Sequence, residues 1–315
     1  MVQEGAIKMK VTEKSKVIVI AGPTGSGKTE FSLMLAKDVD GEIINCDASQ
    51  MKKDLNIGTA KIDLTKTNIK HYLIDFLAAD ENYSIRDFQT KAREVISTIN
   101  SSKKVPIIVG GTGLYINALL YNYNLNDTGR DLDFEKKYND ISNHELHLLL
   151  EKENKELAKE IHENNRRRVL RALEKCQSNS NEVHFEKNTD MLYNAKIFCL
   201  CPKRCDLYER INLRVEKMLD AGWIDECKKL QASNYDISKI KDIGYHEIFE
   251  FLNGNLSEND MKEIIKQKTR NYAKRQITWF KRYENSKWFD LDKYDDKEIL
   301  KKEILDYIEN ISKNV

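Results

Sequence analysis

Proline is nearly missing from these 315 residues: only Pro23, Pro106 and Pro202 interrupt the chain, so long stretches are free to be helical. There is no apolar run near the ~18 residues that a membrane span requires. Residues 1–16 have no apolar centre of the signal-peptide kind, and they predict a flexible lead-in and a cytoplasmic protein. Neither charge sign dominates, with 52 Lys and Arg against 51 Asp and Glu and a net charge of +1. That balance argues against a histone-like nucleic-acid binder, but it leaves room for a local basic face. The six cysteines are Cys46, Cys176, Cys199, Cys201, Cys205 and Cys227. Three crowd into residues 199–205, but CxC and Cx3C spacings without a fourth ligand are a weak zinc signal, and buried reduced thiols are the simpler reading.

The length suits one large domain or two modest ones, with enough buried surface to need neither disulfides nor a structural metal. Lys16–Ala21 (KVIVIA) reads as a buried parallel strand and Lys28 to about Asp38 as a helix. Glu42–Cys46 is a second strand. Tyr83–Asn100 is a helix with Phe88, Ala92, Val95, Ile96 and Ile99 along one face, and Val105–Val109 is a third strand. This order predicts an α/β fold with a parallel sheet. Residues 126–194 are polar and helical where periodic, with a loop at Gln177–Asn181, and read as a helical insertion. Ala195–Cys201 then resumes the sheet. Helices follow at Arg204–Ala221, Trp223–Gln231, Gly244–Leu252 and Glu258 to about Tyr283. The expected organisation is a P-loop core over 17–125 and 195–315, carrying C-terminal helices, with the insertion over 126–194.

Gly22, Pro23, Thr24, Gly25, Ser26, Gly27, Lys28 and Thr29 fit G-x-x-x-x-G-K-[ST] at every fixed position. A chance match in a chain this long is on the order of one per cent. Glycines let the backbone turn its N–H groups inward on an anion, and the following helix adds partial positive charge. Lys28 reaches phosphate oxygens, and the Thr29 hydroxyl suits Mg²⁺. A di- or polyphosphate ligand follows; its identity does not. Nucleotide hydrolases and small-molecule kinases place an Asp at the end of a later strand. Here Val105–Val109 runs into Gly110–Gly111–Thr112–Gly113, with no acid. Asp47 follows the second strand, at the end that faces the ligand crevice of an open α/β sheet. It could be a general base, a metal partner or a helix cap.

Several segments recur together. GPTGSGKT at 22–29, Asp47 with Ser49–Gln50, IGTAK at 57–61, HYLID at 71–75 and GGTGLYINALL at 110–120 come first. RRRVLRALE at 166–174, RINLRVEKML at 210–219, IGYHE at 243–247 and KTRNYAKRQITWFKR at 268–282 follow. In this order and spacing the chain resembles the bacterial tRNA dimethylallyltransferases (tRNA isopentenyltransferases) from about Val17 to Tyr283. The resemblance implies transfer of a dimethylallyl group from dimethylallyl diphosphate to N6 of the adenosine just 3′ of the anticodon. It implies a P-loop that holds the isoprenoid diphosphate with Mg²⁺, which agrees with the missing strand-end Asp. Asp47 is then the base, while Arg214 and Thr24 attend the leaving diphosphate. Contact with the tRNA anticodon stem-loop falls to Asp47, Ala48, Ser49, Gln50, Thr112, Arg167, Arg168, Arg171, Lys241, Gly244 and Tyr245, with the tRNA between core and insertion. The chain departs from the usual pattern at Ala48, where Ser is common, at Lys52, where Tyr is common, and at Glu163–Asn164–Asn165, where Pro-Asn-Asp is common.

Two stretches are rich in base. Arg166, Arg167, Arg168 and Arg171 lie within six residues, suited either to RNA phosphates or to a solvated face balanced by Glu163 and Glu174. Residues 266–287 carry eight basic residues and one acid, with Lys266, Arg270 and Lys274 as a stripe. Trp279 and Phe280 among them read as core. Readings other than the prenyl transfer are a small-molecule kinase and a non-catalytic tRNA-binding module. Monomer is the default state, since no self-complementary stripe stands out.

Overall fold

The computed structural model describes residues 14–121, 132–177 and 190–312. By contacts the chain divides into two compact units, one of residues 1–122 with 190–315 and one of residues 123–189.

The larger unit opens with β1 (Lys16–Ala21), α1 (Lys28–Asp38), β2 (Gly41–Asn45), β3 (His71–Tyr72), α2 (Ile85–Ser101), β4 (Val105–Gly110) and α3 (Gly113–Leu120). The insertion holds α4 (Leu132–Lys137), α5 (Asn143–Glu153), α6 (Lys155–Glu160) and α7 (Arg166–Gln177). The larger unit resumes with β5 (Asn194–Leu200), α8 (Arg204–Asp220), α9 (Trp223–Gln231), α10 (Tyr245–Leu252), α11 (Glu258–Phe280), β6 (Lys287–Phe289) and α12 (Tyr294–Ser312).

All six strands are parallel, in the order β3-β2-β4-β1-β5-β6. β1 is central because both of its faces are apolar. Val17, Val19 and Ala21 join Phe88, Ile96 and Ile116 of α2 and α3 on one side, with Phe280 of α11. Ile18 and Ile20 join Phe31 and Leu35 of α1 and Leu300 and Ile304 of α12 on the other. Each of the Val, Ile, Leu and Phe side chains among these contributes roughly 1.5–3 kcal/mol by leaving water. Strand order reverses at β1: the chain leaves it toward β2 and later returns on its other edge as β5. That is the switch point at which an open α/β sheet leaves a crevice at its carboxyl ends. The helices α8 to α11 form a further apolar cluster around Trp223, Tyr245 and Ile248.

The fold class read from the sequence is the one observed. Four elements were not anticipated: β3, β6, α3 and α12. The first two are two and three residues long, too short to show a period. The lead-in expected over 1–16 is partly sheet. Lys16 begins β1, Ser15 accepts the Asn194 N–H, and Lys14 Nζ donates to the Met191 carbonyl at 2.7 Å; residues 1–13 lie outside the described residues. Likewise Gln177 closes α7 rather than opening a loop, and 178–181 lie outside the described residues. The stretch just before β5 belongs with the larger unit, because Leu192 N–H donates to the Leu120 carbonyl at 2.8 Å. In the insertion, Leu146, Leu150, Val169, Leu170 and Leu173 build a small core of their own. A capping box of Ser142 and Glu145 starts α5.

Candidate active site

The phosphate loop lies between β1 and α1. Gly27, the residue before the helix, has φ +86°, a left-handed conformation that glycine adopts without a Cβ penalty. Lys28 Nζ folds back to donate to the Pro23 carbonyl at 2.7 Å. Ser26 Oγ is buried with no hydrogen-bond partner. A buried orphan hydroxyl beside a glycine turn is what a ligand oxygen or a cation would satisfy.

Gln276 of α11 braces this loop from across the site. Its Oε1 accepts the Thr24 N–H at 2.9 Å and its Nε2 donates to the Gly111 carbonyl at 3.0 Å. A Cβ on Gly111 would lie 2.0 Å from that Nε2, so glycine is needed for the approach. Gln276 is 4% exposed. It falls on the helical spacing of Ala273 and Phe280, the buried face of α11. A polar residue on a buried face was the sequence signal for it, and it was missed. Gln276→Leu leaves two buried backbone groups unpaired, at roughly 1–3 kcal/mol each. We expect a lower denaturant midpoint and weaker binding of a phosphate-bearing ligand at the loop; unchanged values of both would reduce Gln276 to packing.

Asp47 comes off β2 in a tight turn. Asn45 Oδ1 accepts the Asp47 N–H at 3.1 Å, and Asn45 Nδ2 donates to the Asp47 carbonyl at 3.0 Å and to the Leu73 carbonyl at 2.8 Å. The Asp47 carboxylate in turn accepts the Ser49 N–H at 3.1 Å. Burial pushes the Asp47 carboxyl above the usual range, against the opposing pull of Lys28 and the Ser49 N–H, and Asp242 pushes it further up. Burial lowers Lys28 to about 8; Asp47 raises it and Arg214 lowers it. Arg214, from α8, is also depressed by burial and supported by Asp47. A carboxylate and two cations thus feel one another at the carboxyl end of the sheet.

They line a single cavity of about 250 Å³. Thr24 to Thr29, Arg214 and Gln276 form its polar side with Asp47 and Gln50. Ile43, Ile62, Ile74 and Val109 supply apolar wall, joined by His71, whose Nδ1 shares a hydrogen with the Ile69 carbonyl at 2.8 Å. An anion flanked by cations and an apolar group fit together in such a space.

The remaining expected RNA contacts fall into three groups. Ser49, Gln50 and Thr112 sit beside Asp47 but are engaged internally. Ser49 Oγ donates to Asp242, Gln50 Nε2 donates to the Thr59 carbonyl at 3.1 Å, and Thr112 Oγ1 accepts the Ala48 N–H at 3.4 Å. Arg167 and Arg168 are exposed on α7, whereas Arg171 pairs with Glu174 at 2.6 Å. Arg166 is used inside the insertion, donating to the Ile141 carbonyl at 2.6 Å.

The third group needs correction. Lys241 is exposed, but Gly244 and Tyr245 are buried. Tyr245 is 0% exposed and its hydroxyl donates to Glu226 at 2.6 Å. A Cβ on Gly244 would lie 2.0 Å from Trp223. These two residues hold the C-terminal helices together, and the Tyr245 side chain is spent on that packing rather than presented at the surface. Glu226 passes that hold onward, because its carboxylate also accepts the N–H groups of Asn56, Ile57 and Gly58. The basic run on α11 is paired in part: Lys266 with Glu216 of α8 and Glu263 of its own helix, and Lys268 with Glu247 of α10, while Arg270 donates to the Asn212 side chain. Phe280 is core, as its spacing predicted, and Trp279 packs partly buried against the same cluster.

The IPP transferase family model matches residues 50–283. The tRNA dimethylallyltransferase of Clostridioides difficile is 40% identical over 309 residues, covering 95% of this chain and 99% of that protein. That of Bacillus subtilis is 40% identical over 304 residues, covering 94% and 97%. Among solved structures, the full-length tRNA isopentenylpyrophosphate transferase from Bacillus halodurans superposes with a TM-score of 0.71 at 38% identity, over 95% of this chain and 99% of that one. A eukaryotic dimethylallyltransferase acting on tRNA gives 0.78 at 28% identity, over 94% and 80%. The relatives and solved structures match over more than nine tenths of this chain, and they establish that the chain belongs to the tRNA dimethylallyltransferase family.

Proposed function

We propose that this protein transfers the dimethylallyl group of dimethylallyl diphosphate to N6 of the adenosine 3′-adjacent to the anticodon in tRNA. The observation that carries this reading is that Asp47, Lys28 and Arg214 line one cavity with an apolar wall and interact electrostatically there. The C1–O bond of the allylic diphosphate breaks and the N6–C1 bond forms. The N6 proton passes to the Asp47 carboxylate, which offsets the weak nucleophilicity of an amine conjugated with the ring. The diphosphate leaves with the electron pair, and the loop N–H groups, Thr24, Lys28 and Arg214 receive its charge.

The residues present suit a magnesium ion: Thr29 and Ser26 line the cavity, the buried Ser26 Oγ has no hydrogen-bond partner, and their hydroxyls are the oxygen donors that would hold it. When bound, the ion supplies further charge neutralisation to the diphosphate. Arg167 and Arg168 on the insertion are exposed and suited to RNA phosphates. No helix among the described residues is long and apolar enough to cross a membrane. We place the activity in the cytoplasm, with a single chain carrying every residue named.

The test incubates the protein with Mg²⁺, labelled dimethylallyl diphosphate and an anticodon stem-loop bearing adenosine after the anticodon. Label should enter the RNA; none entering with folded protein overturns the reading. For the RNA surface, Arg167→Ala with Arg168→Ala should weaken stem-loop binding and make its log–log salt slope shallower by about 1–2. Arg171→Ala should change the slope less, because Glu174 already pairs it. An unchanged slope in the double variant returns these arginines to a solvated face.

A further inference from the structure

Ser49 touches two carboxylates at once. Its N–H donates to Asp47 Oδ1 at 3.1 Å and its hydroxyl donates to Asp242 Oδ1. The other oxygen of Asp242 accepts from Lys52 Nζ at 2.9 Å, and the two side chains are only 17% and 14% exposed. The Lys52 N–H also closes the short turn on the Ser49 carbonyl at 3.3 Å. Asp242 comes from the loop before α10, far along the chain from Asp47, so its arrival beside Ser49 is made by the fold. Lys52 is the position where the family pattern commonly has Tyr. Here it is a cation, and its partner is an acid.

We propose that Asp242 is a positioning residue for the transfer, holding Ser49 so that Asp47 is aimed at the amine, with Lys52 balancing the charge that Asp242 adds. The proposal rests on reading Asp47 as the base. A second carboxylate on the far side of Ser49 makes it harder for Asp47 to stay ionised, and a cation on that carboxylate relieves the effect. The other groups facing Asp47 are Lys28 of α1, Arg214 of α8, Cys46 of its own segment, Tyr115 of α3 and Tyr272 of α11. Of all these neighbours, Lys52 and Asp242 form a closed pair that can be altered without touching the phosphate loop. The Ser49 contact also accounts for the side of Asp47 that is tethered: one oxygen is fixed by the N–H, and Lys28 and Arg214 act across the cavity.

Charge and position separate by substitution. Asp242→Asn keeps an acceptor for the Ser49 hydroxyl and removes the charge. Asp242→Ala removes both. Lys52→Met leaves the charge of Asp242 unbalanced. Single-turnover rates across pH, with diphosphate binding as a check that each variant is folded, read the effects. The acid limb should move up by about half a pH unit in Lys52→Met and down by about as much in Asp242→Asn, with the double variant between them. Asp242→Ala should also lose about tenfold in the transfer rate, with KM for the diphosphate held, because the base is no longer aimed; Asp242→Asn should recover most of that rate. An acid limb that stays put in Lys52→Met and Asp242→Asn, or Asp242→Ala at the wild-type rate, overturns the proposal, since a mere brace between segments would alter stability alone. The Asp47 carboxyl is also followed by carbon-13 titration in the protein without substrate, assigned with Asp47→Asn. If Asp47→Asn keeps its turnover, the base reading falls on its own. The titration then decides whether Lys52 and Asp242 act on Asp47: opposite displacements uphold their action and none overturns it.

Discussion

Asp47→Ala should lower transfer by ~10²-fold or more while stem-loop affinity stays within about twofold of wild type. The size follows from the chemistry. The exocyclic amine of adenine carries its lone pair into the ring, and the bond to the allylic carbon leaves a cationic nitrogen unless a proton departs. Asp47 is the carboxylate in the cavity held by both its backbone and its side chain, through Asn45 and Ser49. Removing it takes away an acceptor that has little freedom to lose. Because burial raises its carboxyl above the ordinary range, the acid limb of the rate should lie above that of a free carboxylate. The sign is fixed by the chemistry: protonated Asp47 cannot accept, so activity falls as pH drops through the raised value. Turnover unchanged in Asp47→Ala, or an acid limb at the value of an exposed Asp, removes it as the base.

The second large effect is expected from Lys28→Met. Loss of a donor aimed at developing negative charge costs about 10²–10³ in turnover where the site excludes water. Lys28 does two things at once. It is positioned by the Pro23 carbonyl at the mouth of the loop, and its charge pulls the Asp47 carboxyl down against burial. Lys28→Met should therefore reduce turnover, raise KM for dimethylallyl diphosphate, and move the acid limb upward. Arg→Lys exchange at Arg214 should be milder than its removal, since charge is kept and only the planar fork is lost. A Lys28→Met enzyme with lower turnover but an unmoved acid limb would show that leaving-group charge, not the state of Asp47, is what Lys28 serves.

The parts of the site that could be read in the sequence are those made by neighbours. The phosphate loop is eight consecutive residues between a β-branched run and a helix. Asp47 sits directly after a strand whose carboxyl end must face the crevice. Apolar runs of five or six residues marked β1, β4 and β5, because parallel strands are buried on both faces. What stayed hidden depends on partners far along the chain. Gln276 meets Thr24 across 252 positions, and Asp242 meets Ser49 across 193. Nothing within a window of sequence signals either contact. Motif position alone also says nothing about burial: Tyr245 lies in a recognisable segment, yet its ring is packed under Trp223. The basic run of α11 looked free of acids because Glu216 and Glu247 belong to other helices.

The pairing of β1 with β5 has a consequence for how the chain is made. β1 leaves the ribosome well before β5, and that sheet neighbour is complete only after the whole insertion has been synthesised. Gln276, which ties the phosphate loop to Gly111, emerges later still. A nascent chain therefore carries the loop motif well before it holds the Gln276 brace of that loop. Closing that long span costs entropy that grows only with the logarithm of its length, about 0.6 kcal/mol per doubling. The stretch between Leu120 and Asn194 is thus free to lengthen or shorten over evolutionary time while the sheet that carries the chemistry keeps its register.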